Sequence, residues 1–145
     1  MDALTTDHPL LEPLEVFKDS ASHLAPTDWL IENILTTKSF AGLIGAPASG
    51  KSFVALDLAL SIASGRPYHG NPVKKGPVLY LAGEGIQGLQ KRAAAWCLMN
   101  NQSTDNNLLI HRGGMDLANP QYLEAYAQAL EENLEDSPSL IVVDT

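Results

Sequence analysis

The sequence predicts an α/β domain built around a mainly parallel sheet. Three observations carry that expectation. Short, nearly all-apolar runs recur along the chain, "SFAGLIG", "PVLYLAGEG", "NLLIH" and "SLIVVD", as strands buried on both faces do. Between them lie longer stretches whose apolar residues repeat at helical spacing. The two kinds alternate from strand to helix through to a fourth strand, which is the pattern of strands linked by crossover helices.

Taken in order, residues 1–26 are polar, proline-punctuated and weakly periodic, and read as a poorly ordered tail or adaptor ahead of a folded part, residues 27–145. "APTDWLIENIL" predicts a short helix capped by Thr27 or Asp28 and carrying Trp29, Leu30, Ile31 and Ile34, with Trp29 packed at the domain edge. Residues 39–45 predict the first buried strand. "KSFVALDLALSIASG" then sets Phe53, Leu56, Leu60 and Ala63 on one stripe, widened by Val54, Leu58 and Ile62, so the helix should be buried on most sides. Gly65 marks its stop and Pro67 the exit. "GNPVKKG" is a loop, and residues 77–85 predict the second strand. The next helix has Ile86, Leu89, Ala93 and Trp96 on its stripe, with Met99 also fitting a core position. After the third strand, Asn119 is the expected N-cap and Pro120 the first helical residue, with Leu123, Tyr126, Leu130 and Leu134 on one face.

The 145 residues are 45% apolar, 18% charged and 6% aromatic, which is the profile of one globular domain. No apolar run is long enough to span a bilayer, and the first residues lack the pattern of a signal peptide. One cysteine, Cys97, allows no internal disulfide, so a cytoplasmic setting is expected. Seventeen acids against nine bases leave a net charge of −8, the wrong sign for a surface that neutralises phosphates along DNA. Glu124, Glu131, Glu132, Glu135 and Asp136 read as a solvated helix face. His8, His23, His69 and His111 share no metal-ligand spacing. Arg92 reads as a solvated or locally paired helix residue rather than one facing a neighbouring subunit, and Arg112 follows a strand at the edge where ligands would bind.

"GAPASGKS", residues 45–52, fits G-x-x-x-x-G-K-[ST] after an expected strand and at the mouth of an expected helix. Such a loop turns consecutive backbone N–H groups towards one anion, and the helix N-terminus adds its partial positive charge. The candidate nucleotide-binding set is Gly45, Ala46, Pro47, Ala48, Ser49, Gly50, Lys51, Ser52 and Phe53. Lys51 suits the β- and γ-phosphates, and the Ser52 hydroxyl is a hard ligand for Mg²⁺. "LIVVDT" supplies a second apolar strand ending in a carboxylate, Asp144, which would hold the same Mg²⁺ through water. Thr145 stands where some ATPases carry a water-activating glutamate, so that role passes to Glu84 in "LYLAGEG", at the same edge of an open parallel sheet.

Together "GAPASGKSFVALDLALSIASGRP", "GPVLYLAGEG" and "LIVVDT" resemble the RecA-like P-loop ATPase core, in the branch of plasmid and phage RepA-type hexameric replicative helicases. "PTDWLIENIL" and "GNPVKKG" resemble that branch too. The resemblance implies a three-layer P-loop NTPase fold, ATP and Mg²⁺ as cofactors, a homo-oligomer that is hexameric when complete, and single-stranded DNA as partner. It also implies that Glu84 activates water, that Lys51 and Ser52 serve the phosphates and metal, and that Asp144 is the strand-end metal residue. Such cores continue past the Asp strand with a polar sensor, DNA-contacting loops and an arginine or lysine finger. The expectation is therefore a core incomplete at its C-terminal side. Two other readings stay open: an ATP-dependent switch that does not translocate, and a catalytically inert fragment. A small-molecule kinase would need an Arg-rich lid, and the sequence has no such cluster.

Overall fold

The structure, a computed structural model, describes residues 25–83, 85–113 and 115–144. The expectations placed on residues 1–24, on Glu84 and on Thr145 lie outside them. The elements are β1 (Trp29–Ile31), β2 (Leu35–Thr36), α1 (Lys51–Ser64), β3 (Val78–Ala82), α2 (Ile86–Met99), β4 (Leu108–Arg112), α3 (Pro120–Asn133) and β5 (Leu140–Asp144).

β3 is the centre of a three-stranded sheet in the order β4-β3-β5, parallel to both neighbours. Its five residues, VLYLA, are all buried, as a central parallel strand requires. The register sets Tyr80 beside Ile110 and Val142, and Leu79 beside Leu109 and Ile141, so each trio shares a face. On the first face Val78, Tyr80 and Ala82 join one core with Leu56, Ala59, Leu60, Ile62 and Ala63 of α1 and Leu89 and Cys97 of α2. On the second face α3 approaches through Tyr126, whose ring meets His111 edge-on at 5.2 Å; His111 pairs with Leu81. Helices thus lie on both sides of a parallel sheet, the three-layer α/β arrangement the sequence predicts.

α1 is apolar nearly all round because it is the inner helix. Its one acid, Asp57, is accounted for by α2: Trp96 Nε1 donates to Asp57 Oδ1 at 2.6 Å, and His69 Nε2 lies 3.2 Å from Oδ2. Gly65 ends the helix in the left-handed region, φ 80°, with its N–H shared between the Ser61 and Ile62 carbonyls. α3 begins as expected: the Asn119 side chain accepts from the N–H groups of Gln121 and Tyr122 at 3.1 and 3.2 Å, with Pro120 next. The five late acids are exposed. Burial pushes the Cys97 thiol above its ordinary range, so it behaves as a core apolar group. Among the described residues no helix is long and apolar enough to cross a membrane.

Four expectations are corrected. Residues 29–36 form an antiparallel hairpin, not a helix. Instead of capping, Asp28 accepts from Thr37 Oγ1 at 2.9 Å and pairs with Lys74 at 3.2 Å. β1 also bonds outward to the 72–74 loop, through Lys74 N–H to Leu30 O and Glu32 N–H to Pro72 O, and Asn33 turns the hairpin at φ 60°. Ladder bonds on both sides of β1 outweigh four apolar residues at helical spacing.

The run at 39–45 is not a strand of the sheet. Phe40 is 99% and Ile44 95% exposed. The segment passes the free edge of β5 across a cavity of ≈ 850 Å³ lined by Phe40, Leu43, Ile141 and Val143 among others. A strand apolar on both faces needs cover on both, and among the described residues nothing covers its outer side. For the same reason β5 is partly buried on one face and exposed on the other, where Ile141 and Val143 are 50% and 47% exposed. Last, Phe53 and Met99 stand out of the core, 60% and 85% exposed: Phe53 faces Arg92 rather than the sheet, and Met99 is the last residue of α2, where its helix gives way to a turn. On the α3 face Leu123 too is partly exposed, while Tyr126, Leu130 and Leu134 are half-buried.

Candidate functional site

The motif at 45–52 forms the turn that leads into α1. Ser49 N–H bonds back to Ala46 O at 3.2 Å, Ala48 takes φ 59°, and Gly50 takes φ 87° as the N-cap. Two left-handed residues in so short a loop fold it into a concavity of backbone N–H groups. No side chain caps the helix, so its first amides stay free for an anion. A Cβ at Gly45 would lie 2.8 Å from Ser49 Oγ, so a larger residue there would oblige the Ser49 hydroxyl to turn away. Lys51 Nζ lies over the loop, donating to the Gly45 and Ala46 carbonyls at 3.0 and 2.9 Å. Pro47 lies within the loop and Phe53 follows it directly. The Phe53 ring is 60% exposed and carries the Arg92 guanidinium 5.0 Å from its centroid.

The first turn of α1 meets the end of β5. Ser52 Oγ donates to Asp144 Oδ1 at 3.0 Å, joining residues 92 apart in sequence. The other carboxylate oxygen, Oδ2, accepts from the Tyr80 hydroxyl at 2.8 Å. Tyr80 is fully buried at mid-strand in β3, and burial first, then the bond to Asp144 and its charge, push its pKa far above the usual phenol range. It is therefore a neutral donor at any working pH. Lys51 and Asp144 also border a cavity of ≈ 350 Å³ with Ala55, Leu58 and Leu43.

A hydroxyl and a carboxylate at 3.0 Å are hard oxygen donors, which suits Mg²⁺ better than a softer metal. Among the described residues no group of three or more His, Cys, Asp or Glu side chains gathers as a closed cage. Mg²⁺ fits such a sparse donor set because it keeps several waters and takes the rest of its shell from phosphates. Glu84 is outside the described residues. Its neighbours are placed: Gly83 N–H donates to the Asp144 carbonyl at 2.9 Å, and Gly85, at φ 67°, is the N-cap of α2. Arg112 is exposed at the same sheet edge, opposite Ala82. Arg92 is half-buried, with its guanidinium over the Phe53 ring and its Nε buried without a hydrogen-bond partner.

A family model described as an AAA domain matches residues 6–145. The chain belongs to that family. As an AAA domain it is P-loop ATPase-like, and its glycine loop, Lys51 and strand-end Asp144 sit at the C-terminal edge of the parallel sheet, where ligands of open α/β sheets bind. No curated protein matches this AAA domain. Sequence reasoning missed Tyr80, which it absorbed into a buried strand. The signal was present: a tyrosine among aliphatic residues on a doubly covered strand must find an acceptor for its hydroxyl.

Proposed function

We propose that the chain binds Mg²⁺–ATP and hydrolyses it, as the nucleotide site of a ring-forming motor of the RepA-type helicase kind. The observation that carries this reading is the Ser52–Asp144 hydrogen bond, which ties the phosphate-loop helix to the carboxylate at the strand end. Lys51 trades the two loop carbonyls for the β- and γ-phosphates, a stronger, charge-assisted pairing. The free amides of the loop hold the phosphate oxygens and stabilise the charge that develops on them. Ser52 and Asp144 are the residues that would hold Mg²⁺, the hydroxyl as a ligand and the carboxylate through water. When bound, Mg²⁺ would supply neutralisation of the charge on the phosphates. Glu84 orients the water that attacks the γ-phosphorus in line with the departing ADP oxygen. A hexameric homo-oligomer adds a cationic finger from the neighbouring subunit, and single-stranded DNA is the polymer moved.

Phosphate release by the full chain, with and without single-stranded DNA, tests this reading. Glu84→Gln should keep ATP binding and lose turnover; unchanged hydrolysis would remove Glu84 from the mechanism. The net charge of −8 favours a second reading, an ATP-dependent switch that moves along nothing. Hydrolysis indifferent to DNA supports the switch and removes the motor.

A further inference from the structure

We propose that Tyr80 is a positioning residue for the metal side of this site: by holding Oδ2 of Asp144 it fixes the carboxylate that receives the cation. The inference rests on the Mg²⁺–ATP reading given above and adds to it a residue outside the phosphate loop and the strand end.

The geometry is a two-point clamp. Ser52 Oγ holds Oδ1 at 3.0 Å from the α1 side, and the Tyr80 hydroxyl holds Oδ2 at 2.8 Å from within the sheet. A carboxylate held at one oxygen still swings about its Cβ–Cγ bond, whereas one held at both does not. Each oxygen accepts more than one hydrogen bond, so both keep capacity for a metal-bound water. Asp144 ends β5 beside Ala82, two residues after Tyr80 on β3, which lets the phenol reach forward along its own face to the strand-end carboxylate. The ring is held in place by the core it shares with α1, and among the described residues Tyr80 is the largest fully buried side chain.

The chemistry of the donor fits the task. A lysine or arginine in this position would also hold the carboxylate, but its charge would repel an arriving dication. Tyr80 is neutral, so it orients Asp144 without opposing the metal. If the hydroxyl served only the core, phenylalanine would fill the same space with the same neighbours. The two roles differ in one respect: only the positioning role ties the hydroxyl to metal affinity.

Binding of a fluorescent ATP analogue to the full chain, with Mg²⁺ titrated from zero, separates them. Tyr80→Phe should raise the Mg²⁺ concentration at half-effect by roughly tenfold or more, as loss of a ligand-orienting partner does elsewhere. Metal-free binding of the analogue should be retained. Placed on an Asp144→Asn chain, Tyr80→Phe should add nothing further to the Mg²⁺ midpoint. Tyr80→Met, which fills most of the space without a donor, gives the same comparison should the phenylalanine chain fail to fold. A wild-type Mg²⁺ midpoint in folded Tyr80→Phe would overturn the proposal. Equal losses with and without metal would overturn it too, since they mark a general structural role. If Mg²⁺ does not affect the wild-type chain at all, the metal site fails first and this inference with it.

Discussion

Trp96 donates its indole N–H to Asp57 Oδ1 at 2.6 Å, and that bond joins α2 to α1 beneath the loop that carries His69. The bond is charge-assisted and part-buried, so it is worth more than a neutral surface contact. Trp96→Phe keeps a large ring but leaves this oxygen without its donor. Urea unfolding should show a loss of about 1–3 kcal/mol. Unchanged stability would mean that the junction rests on apolar packing alone.

Gly50 holds φ 87° between the phosphate loop and α1, with open space around its Cα. A substitution there meets no clash, so its cost is conformational. Gly50→Ala forces an L-residue into the left-handed region, at about 1–2 kcal/mol. For a domain of this size each kcal/mol lowers the melting temperature by about 2–4 °C. Thermal melting should fall accordingly, and ATP-analogue binding should weaken because the loop relaxes out of shape. An unchanged melting curve would contradict the loop geometry.

Asp28 has a carboxyl pKa below its usual 3.8, through the Thr37 hydrogen bond first and the Lys74 bond and charge after it. A depressed folded-state value means stability that is present above the unfolded pKa and lost as pH falls through the folded one. Asp28→Asn should therefore be less stable than wild type at neutral pH, with the gap closing below about pH 4. The group is exposed, so the effect is small and shrinks with salt. Asparagine can still accept from Thr37, so a gap that persists at low pH would contradict a charge origin for the effect.

How much of this was legible beforehand depends on where the deciding contacts lie. β3, β4 and β5 announced themselves through apolar composition, and α1 to α3 through period, because each is specified by its own residues. The Asn119 cap and the Gly65 stop were readable for the same local reason. The hairpin at 29–36 was not, since its deciding partners are the backbone at 72–74 and Lys74, 46 residues from Asp28. The run at 39–45 was apolar enough for a strand, yet it lacks cover among the described residues. At the site, Lys51, Ser52 and Asp144 were legible from motif and strand end, and the structure brings Ser52 and Asp144 into contact. Tyr80 was hidden by its own burial, because a sequence pattern scores the ring and not the hydroxyl.

The central claim is that residues 45–53 and Asp144 form a Mg²⁺–ATP site. Its most direct test is equilibrium titration of a fluorescent ATP analogue into the wild-type chain and Lys51→Ala, with and without Mg²⁺. The wild-type chain should bind, and more tightly with Mg²⁺. Lys51→Ala removes a charge-assisted contact to phosphate, worth about 1.5–3 kcal/mol, and should weaken binding about 10- to 100-fold. Equal affinity of the two chains for the analogue, or wild-type binding indifferent to Mg²⁺, would contradict the account.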